Sequence, residues 1–122
     1  MLKITIPYKT PSVSHLYYHI RNMKIISNEA RKLRDNIYAI VDAIPRPLEV
    51  LTVPLKVTID IYENWYFKNG NIAKKDVINR EKFLIDCIFH GLEIDDKFIF
   101  INIINKIHSD TEEKAEVMIE VL

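Results

Sequence analysis

The stretch Lys74–Lys97, KKDVINREKFLIDCIFHGLEIDDK, decides how the chain is read. It opens with two lysines and Asp76 where a helix would begin. Asn79, Lys82 and Asp86 follow at i, i+3 and i+7, one polar line with Lys75 a turn before it. Val77, Leu84 and Ile88 form the opposite, apolar line. The spacing predicts a helix from Lys75 or Asp76 to His90, closed by Gly91 as its C′ residue and followed by the acidic pair Asp95–Asp96. Carboxylates at both ends of one helix, with lysine between them, suit a magnesium-dependent phosphodiester-cleaving site. They equally suit a capped helix, with Asp76 compensating its dipole and Asp95–Asp96 in a solvated turn.

Upstream, Leu2, Ile4 and Ile6 alternate on one face of a first strand, and Pro7 and Pro11 bracket a turn. Residues 12–27, SVSHLYYHIRNMKIIS, have no sustained period and are expected to form an extended or irregular loop. Aromatics there interleave with His15, His19, Arg21 and Lys24, which suits nucleic-acid contact or a loop pinned to the core by Tyr17 or Tyr18. Ser27 is the expected N-cap of a helix with Ala30, Leu33, Ile37, Ile40, Val41 and Ile44 as its apolar stripe. Pro45 and Pro47 end it, and residues 49–54 connect to a strand, Lys56–Glu63, with Val57, Ile59 and Ile61 on the core face. Asn69-Gly70 marks a turn in the loop that leads to the opening helix.

Downstream, KFIFINIINKIH is apolar on both faces and is expected at the centre of a sheet. A turn at residues 110–114 leads to alternating residues 115–122, expected to pair with it as an antiparallel hairpin. The order β-α-β-α-β-β predicts an α+β fold, a small mixed sheet with two packed helices, in a single domain over residues 1–122.

Composition narrows the classes. Of 122 residues, 48% are apolar, with two glycines and five prolines, which excludes a disordered chain. No apolar run is long enough to span a bilayer and the N-terminus is a strand-like alternation that turns polar within ten residues, so a cytoplasmic protein without membrane contact is expected. The single Cys87 excludes an internal disulfide and a cysteine zinc site; mid-helix among Ile85, Ile88 and Phe89, it is expected to be an inert thiol. Net charge is zero, yet residues 1–34 carry +6 and residues 83–122 carry −6. Such segregation permits a basic face that neutralises phosphates, unless the charges mix in space.

Taken in order, these anchors resemble the RusA family of Holliday-junction resolvases along nearly the whole chain. IPYKTPSVSHLYY is similar to the family's proline-rich turn and PPS-x-N-x-x-Y stretch, with Ser14 where asparagine is usual. ISNEARKLRDNI is similar to its S-x-E-x-x-x-x-R helix start, and KKDVINREKFLIDCIFHGLEIDD to its basic run, D-x-D-N-x-x-K helix and terminal D-D.

The resemblance implies a homodimer cutting four-way junctions in branched DNA, in recombination and repair, with magnesium (or manganese) as cofactor. It makes Asp76, Asp95 and Asp96 the metal ligands, Asp96 the stronger of the closing pair, and Lys82 the catalytic lysine. Ile78 stands where the family has a second helix aspartate, so one expected carboxylate is missing. Asp60, Glu63 and Glu81 are the residues that could compensate. Lys9, Arg21, Lys24, Lys68, Lys74, Lys75 and Arg80 are the expected DNA contacts, and Trp65 and Phe67 the expected wedges or stacking platforms at the crossover. The alternative implied by Ile78 is a junction- or duplex-binding module with weakened or lost catalysis. An interaction protein with a protein partner is the third reading.

Overall fold

The sheet is built on the strand Leu55–Glu63 (β4), whose side chains alternate strictly between buried and half-buried along all nine residues. The computed structural model describes residues 1–11, 13–45, 52–75 and 77–122, with the backbone alone at 13, 14, 78 and 79. Asp76, the stop expected at Pro47 and residues 49–51 of the connector lie outside the described residues, and the helix expected from Lys75 or Asp76 begins at Ile78.

In chain order the elements are β1 (Leu2–Ile6), a single turn α1 (Val13–Leu16), β2 (Tyr17–Ile20), β3 (Met23–Ile26), α2 (Asn28–Asp42), β4, α3 (Ile78–Leu92), β5 (Ile99–His108) and β6 (Lys114–Val121). The fold is α+β, a mixed four-stranded sheet ordered β1-β6-β4-β5 with α2 and α3 packed together over one face. β6 runs antiparallel to both β1 and β4, whereas β5 is parallel to β4.

Two expectations change here. β5 and β6 form no hairpin with each other, because β4 stands between them. Helix α3 makes the crossover that a parallel β4–β5 pair requires. Nor is β5 central. Its isoleucines alternate with Asn102, Asn105 and Lys106, and Phe100, Ile101 and Ile103 are exposed on the edge. Only an edge position keeps those polar groups in water, while β4, fully paired on both sides, buries Leu55, Val57, Ile59 and Ile61.

Residues 12–27, expected as a loop, contain α1 and a two-stranded hairpin, β2–β3, that among the described residues pairs only with itself. Its turn is Arg21-Asn22, with φ of 50° and 65°. Two consecutive left-handed residues give the twist that two-residue hairpins favour, usually signalled by glycine. Without glycine the turn leaves little trace in sequence.

Helix α2 forms as expected. Ser27 caps it, its hydroxyl accepting from the Ala30 amide at 3.0 Å, and Ala30, Leu33, Ile37 and Val41 are buried. Helix α3 runs past Gly91 to Leu92 and ends at Glu93, a left-handed residue whose amide turns back to the carbonyls of His90 and Phe89. Gly91 serves packing rather than capping: a Cβ there would lie 3.2 Å from Val41 Cγ1. The two helices can therefore close over a core that includes Ile59, Ile61, Leu84, Ile88 and Ile119, where each buried Ile or Leu contributes about 1.5–3 kcal/mol. Among the described residues no helix is long and apolar enough to cross a membrane.

Candidate active site

The polar line of α3 opens into a cleft of about 340 Å³ lined by Glu81, Lys82, Ile85, Asp86, Asp96, Ile99 and Asn102. Lys82 and Asp86 are one helical turn apart and both exposed. Asp96 arrives from the far side. After the left-handed residue Glu93 reverses the chain, a 3-10 turn over Asp96–Phe98 leads into β5. The convergence thus occurs beside the middle of α3, not at its start.

The closing pair divides. Asp95 caps the 3-10 turn, its carboxylate accepting from the Lys97 amide at 2.9 Å, and Asp96 lines the cleft. Glu81 accepts a hydrogen bond from the Asn102 side chain, which ties α3 to β5 at the cleft wall.

Electrostatically, Asp86 is the strained member. Desolvation by the cleft walls raises its carboxyl above the ordinary range, Asp96 raises it further, and Lys82 and Lys24 act in the opposite sense. Lys24 belongs to the β2–β3 hairpin, where its ammonium lies 4.1 Å from the centre of the Tyr17 ring, so charges from α3, the 3-10 turn and the hairpin all act on this carboxylate. Sequence reasoning placed Asp86 on the polar line but gave it no role. Its i+4 spacing from Lys82 was the available signal.

A hard divalent cation takes oxygen ligands, and magnesium keeps much of its water, so a few carboxylates suffice. The donor set fits in kind: Asp86 and Asp96 are all-oxygen donors whose mutual repulsion a cation would relieve. Among the described residues no three His, Cys, Asp or Glu side chains stand close enough to hold an ion. Asp76 lies outside them, as do the side chains of Asn79 and Ile78.

Neither strand carboxylate makes good the one missing at Ile78. Asp60 alternates onto the sheet face away from the helices, where Asn105 donates to it at 2.8 Å. Glu63 is on the helix side but fully committed, buried in an ion pair with Arg80 and a second with Lys75 at 3.0 Å.

These pairs also change the expected DNA contacts. Arg80 is 3% exposed and held by Glu63, so it is a structural cation rather than one that tracks a DNA backbone. Lys75 is half-buried on the same carboxylate, and Lys9 pairs with Glu113 at 3.2 Å. Arg21, Lys24, Lys68 and Lys74 remain exposed.

Trp65 is no stacking platform. It is buried, its indole N–H donating to the carbonyls of Ile61 and Ile107, with Lys75, Arg80 and Lys106 ranged over its ring. In this loop Tyr66 and Phe67 are instead exposed, on a tip closed by the Tyr66–Ile72 bridge and by Gly70 at φ 85°. Cys87 is buried and its thiol is pushed up to about 12, chiefly by that burial. It has no nucleophilic role at neutral pH.

The family model for endodeoxyribonuclease RusA matches residues 7–120. No curated protein matches the chain.

Proposed function

The chain belongs to the RusA family of endodeoxyribonucleases, and from that premise we propose that it resolves four-way DNA junctions by magnesium-dependent phosphodiester hydrolysis. The observation that carries this reading is the cleft in which Lys82 and Asp86 of α3 face Asp96. These are groups that two-metal or one-metal phosphate chemistry uses: carboxylates to hold the cation and a cation to answer charge on the phosphate.

Asp96 and Asp76 would hold the metal, Asp86 lines the same cleft as Asp96, and Asp95 serves the turn. Magnesium held there would supply Lewis acidity toward a phosphate oxygen and would lower the pKa of its bound water. Lys82 offers its ammonium to the charge that develops on the phosphoryl oxygens. The exposed cations Arg21, Lys24, Lys68 and Lys74 give the backbone its salt-dependent hold. Phe67, 57% exposed at the loop tip, would meet unstacked bases.

A second copy completes the reading, since two matched nicks call for two sites related by a two-fold axis. The unpaired edge of β5, with Phe100, Ile101 and Ile103 exposed, supports pairing there. The test is cleavage of a synthetic four-way junction beside a linear duplex, with and without magnesium.

Ile78 favours a second reading, a junction-binding module whose catalysis is weakened by the missing carboxylate. Under it, Ile78→Asp raises cleavage sharply. No gain from that substitution would count against the missing carboxylate as a cause.

A further inference from the structure

The hairpin β2–β3 has two unlike faces. Pairing of Tyr18 with Ile25 and of Ile20 with Met23 puts four apolar side chains on one face. Tyr18 is 46%, Ile20 49% and Met23 61% exposed. The opposite face carries Tyr17 and Ile26, half-buried against the body, and then His19 and Lys24 toward the tip. Arg21 and Asn22 form the tip itself, and residues 17–26 contain no acidic side chain.

Position gives this ribbon its meaning. Lys24 acts on Asp86 in the α3 cleft. Tyr17 and Ile26 line, together with Asp86, an adjoining hollow of about 260 Å³. The hairpin therefore stands beside Asp86, at the flank of the proposed catalytic cleft, and projects an apolar, cation-tipped end away from the core.

We propose that β2–β3 is a DNA wedge: Ile20 and Met23 enter a base step from the minor groove beside the cut phosphate, and Arg21 and Lys24 hold the flanking backbone. Isoleucine and methionine next to arginine are what minor-groove proteins use to unstack and kink DNA. The absence of acids and the cationic tip favour a polyanion over a protein partner. This rests on the nuclease reading and adds the element that opens the duplex at the site.

The test uses a synthetic four-way junction carrying 2-aminopurine at the steps flanking the branch. Wild-type protein is expected to bind it and raise 2-aminopurine fluorescence through unstacking. Ile20→Ser/Met23→Ser, whose side chains are largely in solvent, is expected to keep its melting temperature and oligomeric state. It should lose the fluorescence change and at least tenfold in affinity. Arg21→Ala is expected to lower the slope of log affinity against log salt by about one. Unchanged affinity and fluorescence in the double variant would overturn the wedge alone. So would a change in its oligomeric state, which would assign the face to a second copy. Wild-type protein that binds no DNA even at low salt would overturn the wedge and the nuclease reading together.

Discussion

Glu63, the last residue of β4, and Arg80, in the first turn of α3, form a buried ion pair that fixes where the helix begins relative to the sheet. Both side chains are at most 4% exposed, and Lys75 joins the same carboxylate. The N-cap residue Val77 makes no side-chain capping bond, so among the described residues the start of the helix is anchored by this pair.

Breaking one partner of such a pair strands a buried charge, at a cost of about 3–5 kcal/mol. Arg80→Ala and Glu63→Ala are each expected to lose stability of that order in urea unfolding. Glu63→Leu/Arg80→Met, which removes both charges, is expected to recover most of it. Additive losses, with the double variant costing the sum of the two single ones, would show that the pair does not hold the two elements together.

Asp86 leads to a pH-dependent prediction. Its folded-state pKa lies above the ordinary 3.8, so the ionised form is disfavoured by folding. The penalty is complete above the folded pKa, shrinks as pH falls through it, and vanishes below the unfolded value. Metal-free Asp86→Asn is therefore expected to melt higher than wild type near pH 7, with the gap closing below about pH 4. Magnesium is expected to raise the wild-type melting temperature and to reduce the gap, by linkage to binding. Thermal melts in chelator and in magnesium, across pH, check both parts.

Gly91 is a test of magnitude. Alanine there gains about 1 kcal/mol of helix propensity, while its Cβ would press on Val41 at 3.2 Å. The two effects are expected nearly to cancel. Gly91→Leu cannot be accommodated and is expected to cost about 1–3 kcal/mol by overpacking. Denaturant midpoints of the two variants decide it.

What was legible in sequence follows from how local the signal was. Ser27 and the stripe of α2, the alternation of β4 and the Asn69-Gly70 turn are each written in a few adjacent residues, and the structure follows them. The pairing of β5 was not legible: a run of isoleucines reads as buried until it is known that β4 already has β6 on its other side. The β2–β3 hairpin was hidden by a turn of Arg21 and Asn22 that reaches left-handed φ without glycine. Gly91 was read as a helix end because its neighbour Val41 is fifty residues away in the chain. In the cleft, Lys82 and Asp96 came from ordered motifs, whereas the part played by Asp86 emerged only from the proximity of Asp96 and Lys24.

Single-turnover cleavage of a synthetic four-way junction, run beside a linear duplex of the same sequence, tests the nuclease assignment most directly. Wild-type protein is expected to place paired nicks in the junction with magnesium and none in chelator. Asp96→Asn and Lys82→Ala are expected to bind the junction but leave it intact, and Asp95→Asn to retain cleavage. Wild-type protein that binds the junction yet leaves it uncut, with magnesium and with manganese, would contradict the assignment.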